Sequence, residues 1–250
     1  MNLERLIRAA LPRPVRSHLQ ATQRRLSALE MVVGMMLDNP DFEPTPDAGF
    51  NGQSFRKKIF EQIVSSIVLD RIVETGCFVG NSAAFMSRTS GLPLLSSEIN
   101  PIFFQIAARC LVGFPNAVVE QGDSRQFLRS IVERRLCDER TFFYLDAHWD
   151  EDLPLREEVD LIGSHWSEFV IMIDDFEVPN DPGYGFDRYG RDRMLTLGYL
   201  RPQIDAHNLV AFFPSARSEL ESGGVRGSVV LANHKAFVQQ LEQLSSLRRY

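Results

Sequence analysis

From residue 54 onward, short apolar runs alternate with segments whose apolar residues have helical spacing. The runs predict strands over 71–74, 92–96, 117–120, 141–146 and 168–174. Helical patterns accompany them and occupy 56–68, the stretch from 82, 101–111, 125–135 and 155–162. This alternation predicts a parallel sheet with helices on both faces. Two further runs, 209–213 and 227–232, are separated by a Ser-Gly-Gly turn and predict an antiparallel hairpin, followed by a helix near 235–244.

The predicted fold class is therefore α/β: a doubly wound, mostly parallel, seven-stranded Rossmann-like sheet with an antiparallel C-terminal hairpin and an N-terminal helical segment. The 250 residues suffice for one such domain, which we expect over 51–250, with an N-terminal helical arm or cap over 1–50. A helical pattern covers 15–38 and ends near Pro40. The acidic, Pro- and Gly-containing stretch 41–51 is typical of a linker or of a loop over the site.

The N-terminal 25 residues have an unusual charge. They carry six arginines against one acid, Glu4, with a partial apolar stripe. A membrane-surface helix, a partner-binding helix or a transit peptide would fit this pattern. We favour a solvated basic helix that packs on its own domain or on a second copy of the chain, which makes a homodimer through N-terminal helices a prediction.

Composition excludes several classes of protein. The net charge of −6 argues against general nucleic-acid binding. The three cysteines, Cys77, Cys110 and Cys137, have no metal or disulfide spacing and fit a reducing compartment, so we expect a cytoplasmic protein. The longest apolar run is far too short for a membrane span, and none is expected.

Two strand ends carry the most informative residues. One predicted strand ends in Asp146, with His148 two residues later, and the next ends in Asp174 and Asp175. In open α/β sheets, ligands bind just beyond the carboxyl ends of strands. Three carboxylates there predict a site for a hard divalent cation such as Mg²⁺, with His148 as a candidate base. Acids at strand ends are also common as helix caps, which is the alternative for Asp174 and Asp175.

A glycine-containing turn follows the first strand. Gly76 and Gly80 would permit a tight turn and a close approach of the backbone to a ligand, with a helix N-terminus behind them. Glu98 follows the second strand, at the position where an acid accepts ribose hydroxyls, and Asp123 and Ser124 follow the third. A nicotinamide dehydrogenase would share the acid at 98, but the G-x-G-x-x-G pattern is absent.

These features together resemble the class I S-adenosylmethionine-dependent methyltransferases, from about residue 54 to the C-terminus. The motif 74–80 (Glu-Thr-Gly-Cys-Phe-Val-Gly) is similar to their glycine-rich motif, Glu98 to their ribose-binding acid and Asp123 to their adenine-contacting position. The resemblance implies S-adenosylmethionine as the cofactor. The residues that it implies for cofactor binding are Glu74, Gly76, Cys77, Gly80, Asn81, Ser82, Glu98, Asp123, Ser124 and Asp146.

Asp146, Asp174 and Asp175 resemble the metal ligands of two O-methyltransferase branches. In the catechol type an aspartate and an Asp-Asn pair hold magnesium, whereas in the macrocin type the pair is more often acidic, as in this sequence. The resemblance implies Mg²⁺ bound by all three acids. Catechol-type enzymes use a lysine as base nearby, and this chain has none there. His148, two residues past Asp146, is the predicted catalytic base because its ordinary pKa lies near working pH. The alternatives are that it supports a metal ligand or contacts the substrate from a loop.

The predicted function is O-methylation of a hydroxyl on a sugar, polyol or phenolic small molecule, assisted by Mg²⁺. The alternatives are a metal-independent methyltransferase, a non-catalytic cofactor-binding module and a nicotinamide oxidoreductase. The segment 181–190 follows the acid pair and predicts a mobile lid whose Tyr184 and Tyr189 stack on the acceptor. The remaining histidines considered, His165, His207 and His234, are predicted to be structural or at the surface.

Overall fold

The computed structural model describes residues 45–148, 152–190 and 192–250, with scattered positions between 12 and 34. Within these residues, eight strands form one sheet with the order β3-β2-β1-β4-β5-β7-β6-β8. The strands are β1 (Arg71–Thr75), β2 (Leu94–Glu98), β3 (Ala117–Gln121), β4 (Thr141–Leu145), β5 (Phe169–Ile173), β6 (Val210–Pro214), β7 (Val229–Ala232) and β8 (Leu247–Arg249). The helices are α1 (Ser54–Ser66), α2 (Asn81–Ser90), α3 (Pro101–Cys110), α4 (Ser124–Glu133), α5 (Leu155–His165), α6 (Leu197–Ala206) and α7 (Lys235–Glu242).

The first five strands are parallel, as the alternation of strands and helices in the sequence predicts. In β4 and β5 every residue is buried, because helices cover both faces of the sheet. Phe142 and Tyr144 of β4 pack on the face covered by α1, α2 and α7, and Phe143 packs on the opposite face with α4 and α5. The predicted doubly wound α/β fold is confirmed.

The C-terminal strands are antiparallel, with one strand more than predicted. β7 pairs antiparallel with both β5 and β6, and the three-residue strand β8 pairs antiparallel with β6. The sheet therefore has eight strands among the described residues, where the sequence predicts seven. The sequence also leaves α6 unpredicted, since this helix contains Pro202, which is disfavoured inside helices.

The segment before α1 packs on the domain. Phe50 is fully buried, and its ring contacts those of Phe60, Phe85 and Tyr144 with centroid separations of 4.9–5.7 Å. The predicted helix over 15–38 lies largely outside the described residues, although the described positions from Val15 to Gly34 are helical. None of the helices in the described part has the length and hydropathy that crossing a membrane requires.

Candidate active site

The order of the sheet brings the predicted site residues to one edge. β1 lies between β2 and β4, so the sheet reverses its winding between β1 and β4. The last paired residues of β1, β4 and β5 are Thr75, Leu145 and Ile173. The glycine turn after β1 and the acids after β4 and β5 therefore share one edge.

The turn after β1 needs glycine at residue 76. Gly76 has φ 79°, and a Cβ atom added to it would lie 2.4 Å from the carbonyl oxygen of Asp146. Gly80 has φ 91° and directly precedes α2, whose N-terminus faces the turn. Phe78, between the two glycines, has φ 52°, which is costly for an aromatic residue. Such strain at a turn is common at ligand sites.

Glu98 holds this turn in place. Its Oε2 accepts a hydrogen bond from the backbone N–H of Phe78 (2.8 Å), and its Oε1 accepts one from the N–H of Asn100 (2.7 Å). Burial raises the pKa of Glu98 to about 7, against the effect of these backbone donors. Each carboxylate oxygen can accept a second hydrogen bond, so the bonds to the backbone leave room for ribose hydroxyls.

Several other predicted cofactor residues surround the turn. Burial raises the pKa of Glu74 to about 7, while its carboxylate accepts a 2.5 Å hydrogen bond from the hydroxyl of Ser96. Burial likewise raises the pKa of Cys77, so this thiol stays protonated. Asn81 begins α2, and its buried Oδ1 has no hydrogen-bond partner among the described residues. The Ser82 hydroxyl accepts a 3.0 Å hydrogen bond from the backbone N–H of Phe50, and thus anchors the N-terminal segment.

Asp123 caps helix α4. Its side chain accepts hydrogen bonds from the backbone N–H groups of Arg125 and Gln126 and pairs with the Arg125 guanidinium. The hydrogen bond from Arg125 lowers the pKa of Asp123, so the carboxylate is charged. Ser124, the next predicted cofactor residue, is buried at the first position of α4.

Asp146, His148 and Asp175 form a compact cluster beyond β4 and β5. One ligand atom from each lies within 4.8 Å of those of the other two. Nε2 of His148 is 3.7 Å from Oδ1 of Asp146 and 4.0 Å from Oδ2 of Asp175. Burial, with the neighbouring Asp174, raises the pKa of Asp146 and brings that of Asp175 to about 7.

The cluster has the properties of a divalent-cation site. His148 is 7% exposed, and neither of its ring nitrogens has a hydrogen-bond partner among the described residues. A buried imidazole without a partner is costly unless a ligand completes it. The carboxylates of Asp146 and Asp175 offer the oxygen ligands that Mg²⁺ and Mn²⁺ prefer, so the residues present fit the predicted metal, and the His148 imidazole lies beside them.

Asp174, the third predicted metal ligand, lies outside this cluster because four donors surround its carboxylate. Arg56 and the backbone N–H of Asp175 bind Oδ1, whereas the Tyr144 hydroxyl (2.6 Å) and the Asn51 amide (3.3 Å) bind Oδ2. The side chain is 1% exposed. The structure thus brings together two of the three predicted metal-binding acids and His148, the predicted base.

The predicted lid contributes one of its two tyrosines to the site. The Tyr189 hydroxyl donates to the backbone oxygen of His148 (2.8 Å) and lies 2.6 Å from Oδ2 of Asp187. Tyr184 is 2% exposed and its hydroxyl donates to the backbone oxygen of Ala216. The expectation that Tyr184 stacks on the acceptor is therefore wrong, because that ring is part of the core.

Comparison with solved structures identifies the fold of this chain. Neither a protein-family model nor a curated protein matches the sequence. Among solved structures, an O-methyltransferase from Bacillus cereus in complex with SAH is 15% identical and has a TM-score of 0.52, with 85% of this chain and 91% of the other covered. The cofactor-bound protein Rv0187 from MTB is 16% identical and has a TM-score of 0.54, with 89% of this chain and 98% of the other covered. The fold is that of the S-adenosylmethionine-dependent methyltransferases. The fold part of the resemblance noted in the sequence is confirmed.

Within this methyltransferase fold, some residues at the site are not predicted from the sequence. The sequence does indicate that Arg56 is buried, because it is the first residue of an i, i+3, i+4, i+7 series. The other members, Ile59, Phe60 and Ile63, form the buried face of α1. Asn51 lies in the short 3₁₀ helix Phe50–Gly52 and Arg226 lies in a loop, and neither belongs to such a periodic series. His207 is also paired, with Asp160 at 3.1 Å, although no acid stands at a telling distance in the sequence.

Proposed function

We propose that this protein is an S-adenosylmethionine-dependent O-methyltransferase, assisted by a divalent cation, that acts on a small molecule. One observation carries the proposal: in a chain with a methyltransferase fold, the turn at Gly76 packs directly on Asp146, the first acid of the Asp146–His148–Asp175 cluster. A cofactor bound along the turn would therefore adjoin an acceptor bound at the cluster. Methyl transfer needs this proximity, since much of its barrier can be lowered by orientation.

The cofactor would lie along the edge formed by β1, β2 and β3. Gly76 and Gly80 would line its methionine part; a side chain at either position would meet protein backbone within 3.2 Å, so the turn keeps its shape only with glycine there. Glu98 would accept the ribose hydroxyls through its remaining lone pairs. The adenine would lie near Asp123 and Ser124, at the start of α4.

The acceptor hydroxyl would lie beside Asp146 and Asp175, which we propose as carboxylate ligands of Mg²⁺. When bound, the cation supplies Lewis-acid chemistry that makes a hydroxyl more acidic. Burial lowers the pKa of His148, so the imidazole is neutral and can take the hydroxyl proton. Tyr189 fixes the backbone of His148 and so orients this base.

The acceptor class follows from the proposed cation. A vicinal diol, as in a sugar, a polyol or a catechol, would place two oxygens on one ion, with one of them aimed at the methyl group. We also propose that the protein works in the cytoplasm, because the odd number and the spacing of its three cysteines fit a reducing compartment.

A methyl-transfer screen tests this function. The purified protein would be incubated with S-adenosylmethionine and a panel of sugars, polyols and catechols, and products would be detected by a mass increase of one methyl group. We expect transfer that EDTA abolishes and Mg²⁺ or Mn²⁺ restores. Transfer that EDTA leaves unchanged would support the metal-independent alternative, and cofactor binding without transfer to any acceptor would favour the non-catalytic module.

We further propose that N-terminal helices join two copies of the chain. Positions 15, 19, 22, 26, 29 and 33 have the alternating spacing of four and three that is typical of a coiled coil, and all but Thr22 are apolar. The described members of this row are all exposed: Val15, Leu19, Leu26, Leu29 and Val33. In the sequence, Arg25 precedes Glu30 by five residues, a spacing that pairs opposite charges between two parallel helices. A second copy of the same helix is therefore the proposed partner.

A further inference from the structure

Arg56 places a positive charge inside the site. It projects from the first turn of α1, is 1% exposed, and forms an ion pair with Asp174. Its second terminal nitrogen donates to the backbone oxygens of Arg226 and Gly227, just before β7. Burial alone would lower the pKa of Arg56, but Asp174, Asp175 and Asp146 raise it, so the guanidinium remains charged. One side chain thus binds together α1, the end of β5 and the loop before β7.

The segment before Arg56 supports the same carboxylate. Asn51 donates its side-chain amide to Asp174, and its own backbone oxygen accepts the N–H of Gly224 (2.9 Å). Phe50 and Asn51 both have positive φ angles, 53° and 57°. Two successive residues other than glycine in this conformation cost energy, and they persist only where the surroundings impose them. The segment 50–56, which we call the strap, is therefore built around Asp174.

Asp174 in turn determines the position of Asp175. The N–H of Asp175 donates to the Asp174 carboxylate at 2.6 Å, and Asp175 adopts a φ of 51°. The left-handed turn directs the Asp175 carboxylate to Arg226 (2.5 Å) and towards His148. Because four donors fix the carboxylate of Asp174, the carboxylate that lies in the cluster is that of Asp175.

The ionisable side chains around the cluster include more acids than arginines. Arg56 offsets Asp174, and Arg226 is shared between Asp175 and Asp187. With Asp146 included and all four acids ionised, the carboxylates exceed the two arginines by two negative charges, and the neutral His148 adds none. A single divalent cation would balance them.

We propose that Arg56 is a positioning residue whose guanidinium supplies a resident positive charge to the site. Because this charge pairs with Asp174, Asp174 is not a metal ligand, and Asp146 and Asp175 hold one divalent ion. This inference rests on the proposed metal-assisted function and specifies the ligands and the charge of that site. It assigns a role to the strap, which contributes no ligand of its own.

The test measures cation binding rather than turnover. Mg²⁺ and Mn²⁺ would be titrated calorimetrically into the full-length protein saturated with S-adenosylhomocysteine, with thermal unfolding as a check on folding. Arg56→Gln removes the resident charge, and Asp174 then keeps Tyr144, Asn51 and its neighbouring N–H as donors. We expect the dissociation constant of the cation to fall about tenfold, the size of effect that one nearby charge has in a protein interior.

Two further variants separate charge from ligation. In Asp174→Asn, Arg56 is left unpaired, and we expect affinity about tenfold weaker than in the wild type. The double variant R56Q/D174N restores the charge balance and should bind the cation within about threefold of the wild type, because neither residue is a ligand. As the matched control, Arg71→Gln removes an ion pair with Glu139 at the opposite end of β1 and should leave cation affinity unchanged.

Each result decides the proposal. It is overturned if R56Q binds the cation no more tightly than the wild type, or if the double variant loses the cation as Asp175→Asn does, since Asp174 would then be a ligand. Should R56Q fail to fold, the cation affinity of the charge-balanced double variant is sufficient to decide between the two cases. A wild-type protein that binds S-adenosylhomocysteine but no cation would overturn both this inference and the metal assistance, while leaving the cofactor assignment intact.

Discussion

Gly76 packs against the backbone of Asp146 so closely that a Cβ atom at position 76 would lie 2.4 Å from the Asp146 carbonyl oxygen. This contact joins the proposed cofactor turn to the proposed metal side. Gly76→Ala should therefore destabilise the fold and abolish binding of S-adenosylhomocysteine, because alanine adds both a clash and an unfavourable φ. Thermal unfolding and calorimetric titration would measure the two effects.

Gly91→Ala is the matched control for this variant. Gly91 has a similar φ of 67°, but nothing lies within 4 Å of an added Cβ atom. We expect Gly91→Ala to cost about 1 kcal/mol of stability from the backbone conformation alone, with cofactor affinity retained. Equal losses in the two variants would contradict the proposed role of the contact between Gly76 and Asp146.

Glu98 supports the turn and is the proposed ribose ligand. Glu98→Ala would remove the acceptor of the Phe78 and Asn100 N–H groups and also the ribose contact. Since a hydrogen bond to a charged group contributes about 1.5–3 kcal/mol, affinity for S-adenosylhomocysteine should fall roughly 10- to 100-fold. In the control, Glu120→Ala removes a half-buried acid on β3 that pairs with Arg134, and affinity should not change. Unchanged affinity in Glu98→Ala would rule out the ribose role.

His148 is the proposed base. His148→Gln should lower kcat by about 10²- to 10⁴-fold, the usual contribution of general base catalysis, while affinity for S-adenosylhomocysteine stays the same. His165→Gln, which alters an exposed histidine at the end of α5, provides the control and should have full activity. A His148→Gln variant with wild-type kcat would show that the proton leaves by another route.

Glu158 gives a prediction about stability and pH. This residue lies in the first turn of α5, where burial raises its pKa to about 7 against the influence of the Ser124 and Thr75 hydroxyls. A raised carboxyl pKa means that the folded protein retains a proton that the unfolded chain has lost. The contribution of Glu158 is thus most favourable below its ordinary pKa and declines as pH rises towards 7, by on the order of 3 kcal/mol.

Glu158→Gln removes this decline. Chemical unfolding between about pH 4.5 and 8 should show a smaller loss of stability in Glu158→Gln than in the wild type. The neighbouring Glu157→Gln, at an exposed position, should reproduce the wild-type slope. If the curves of the two variants are parallel, Glu158 ionises normally in the folded protein.

The N-terminal helices are tested by oligomeric state. Leu26→Glu places a charge in the middle of the exposed apolar row and should convert a dimer to a monomer in sedimentation analysis. Val112→Glu changes an apolar residue that is 81% exposed elsewhere, and should remain dimeric. A monomeric wild-type protein at tens of micromolar would contradict the proposed association.

Most of the sheet can be predicted because β4 and β5 are apolar runs buried along their whole length, and β1 and β2 each contain two adjacent apolar residues within the regular alternation of strands and helices. β8 escapes prediction since its three residues include two arginines, and only pairing with β6 makes it a strand. The three-dimensional neighbours of a short polar segment determine its structure, and the local pattern does not contain them.

The site shows the same division. Strand ends predict that Asp146, His148 and Asp175 lie at one edge, and these residues do form a cluster. The separate position of Asp174 depends on Arg56, which is 118 residues away in the sequence. The spacing of acids in the sequence shows which carboxylates follow each strand. It does not show that Arg56 pairs with Asp174 and leaves Asp175 in the cluster.

The proposed methyltransferase function is tested most directly by a calorimetric titration of the wild-type protein with S-adenosylmethionine, beside an identical titration with NAD⁺. We expect one S-adenosylmethionine bound per chain and no heat of binding with NAD⁺. Binding of NAD⁺ without binding of S-adenosylmethionine, or no binding of either, would contradict the proposed function.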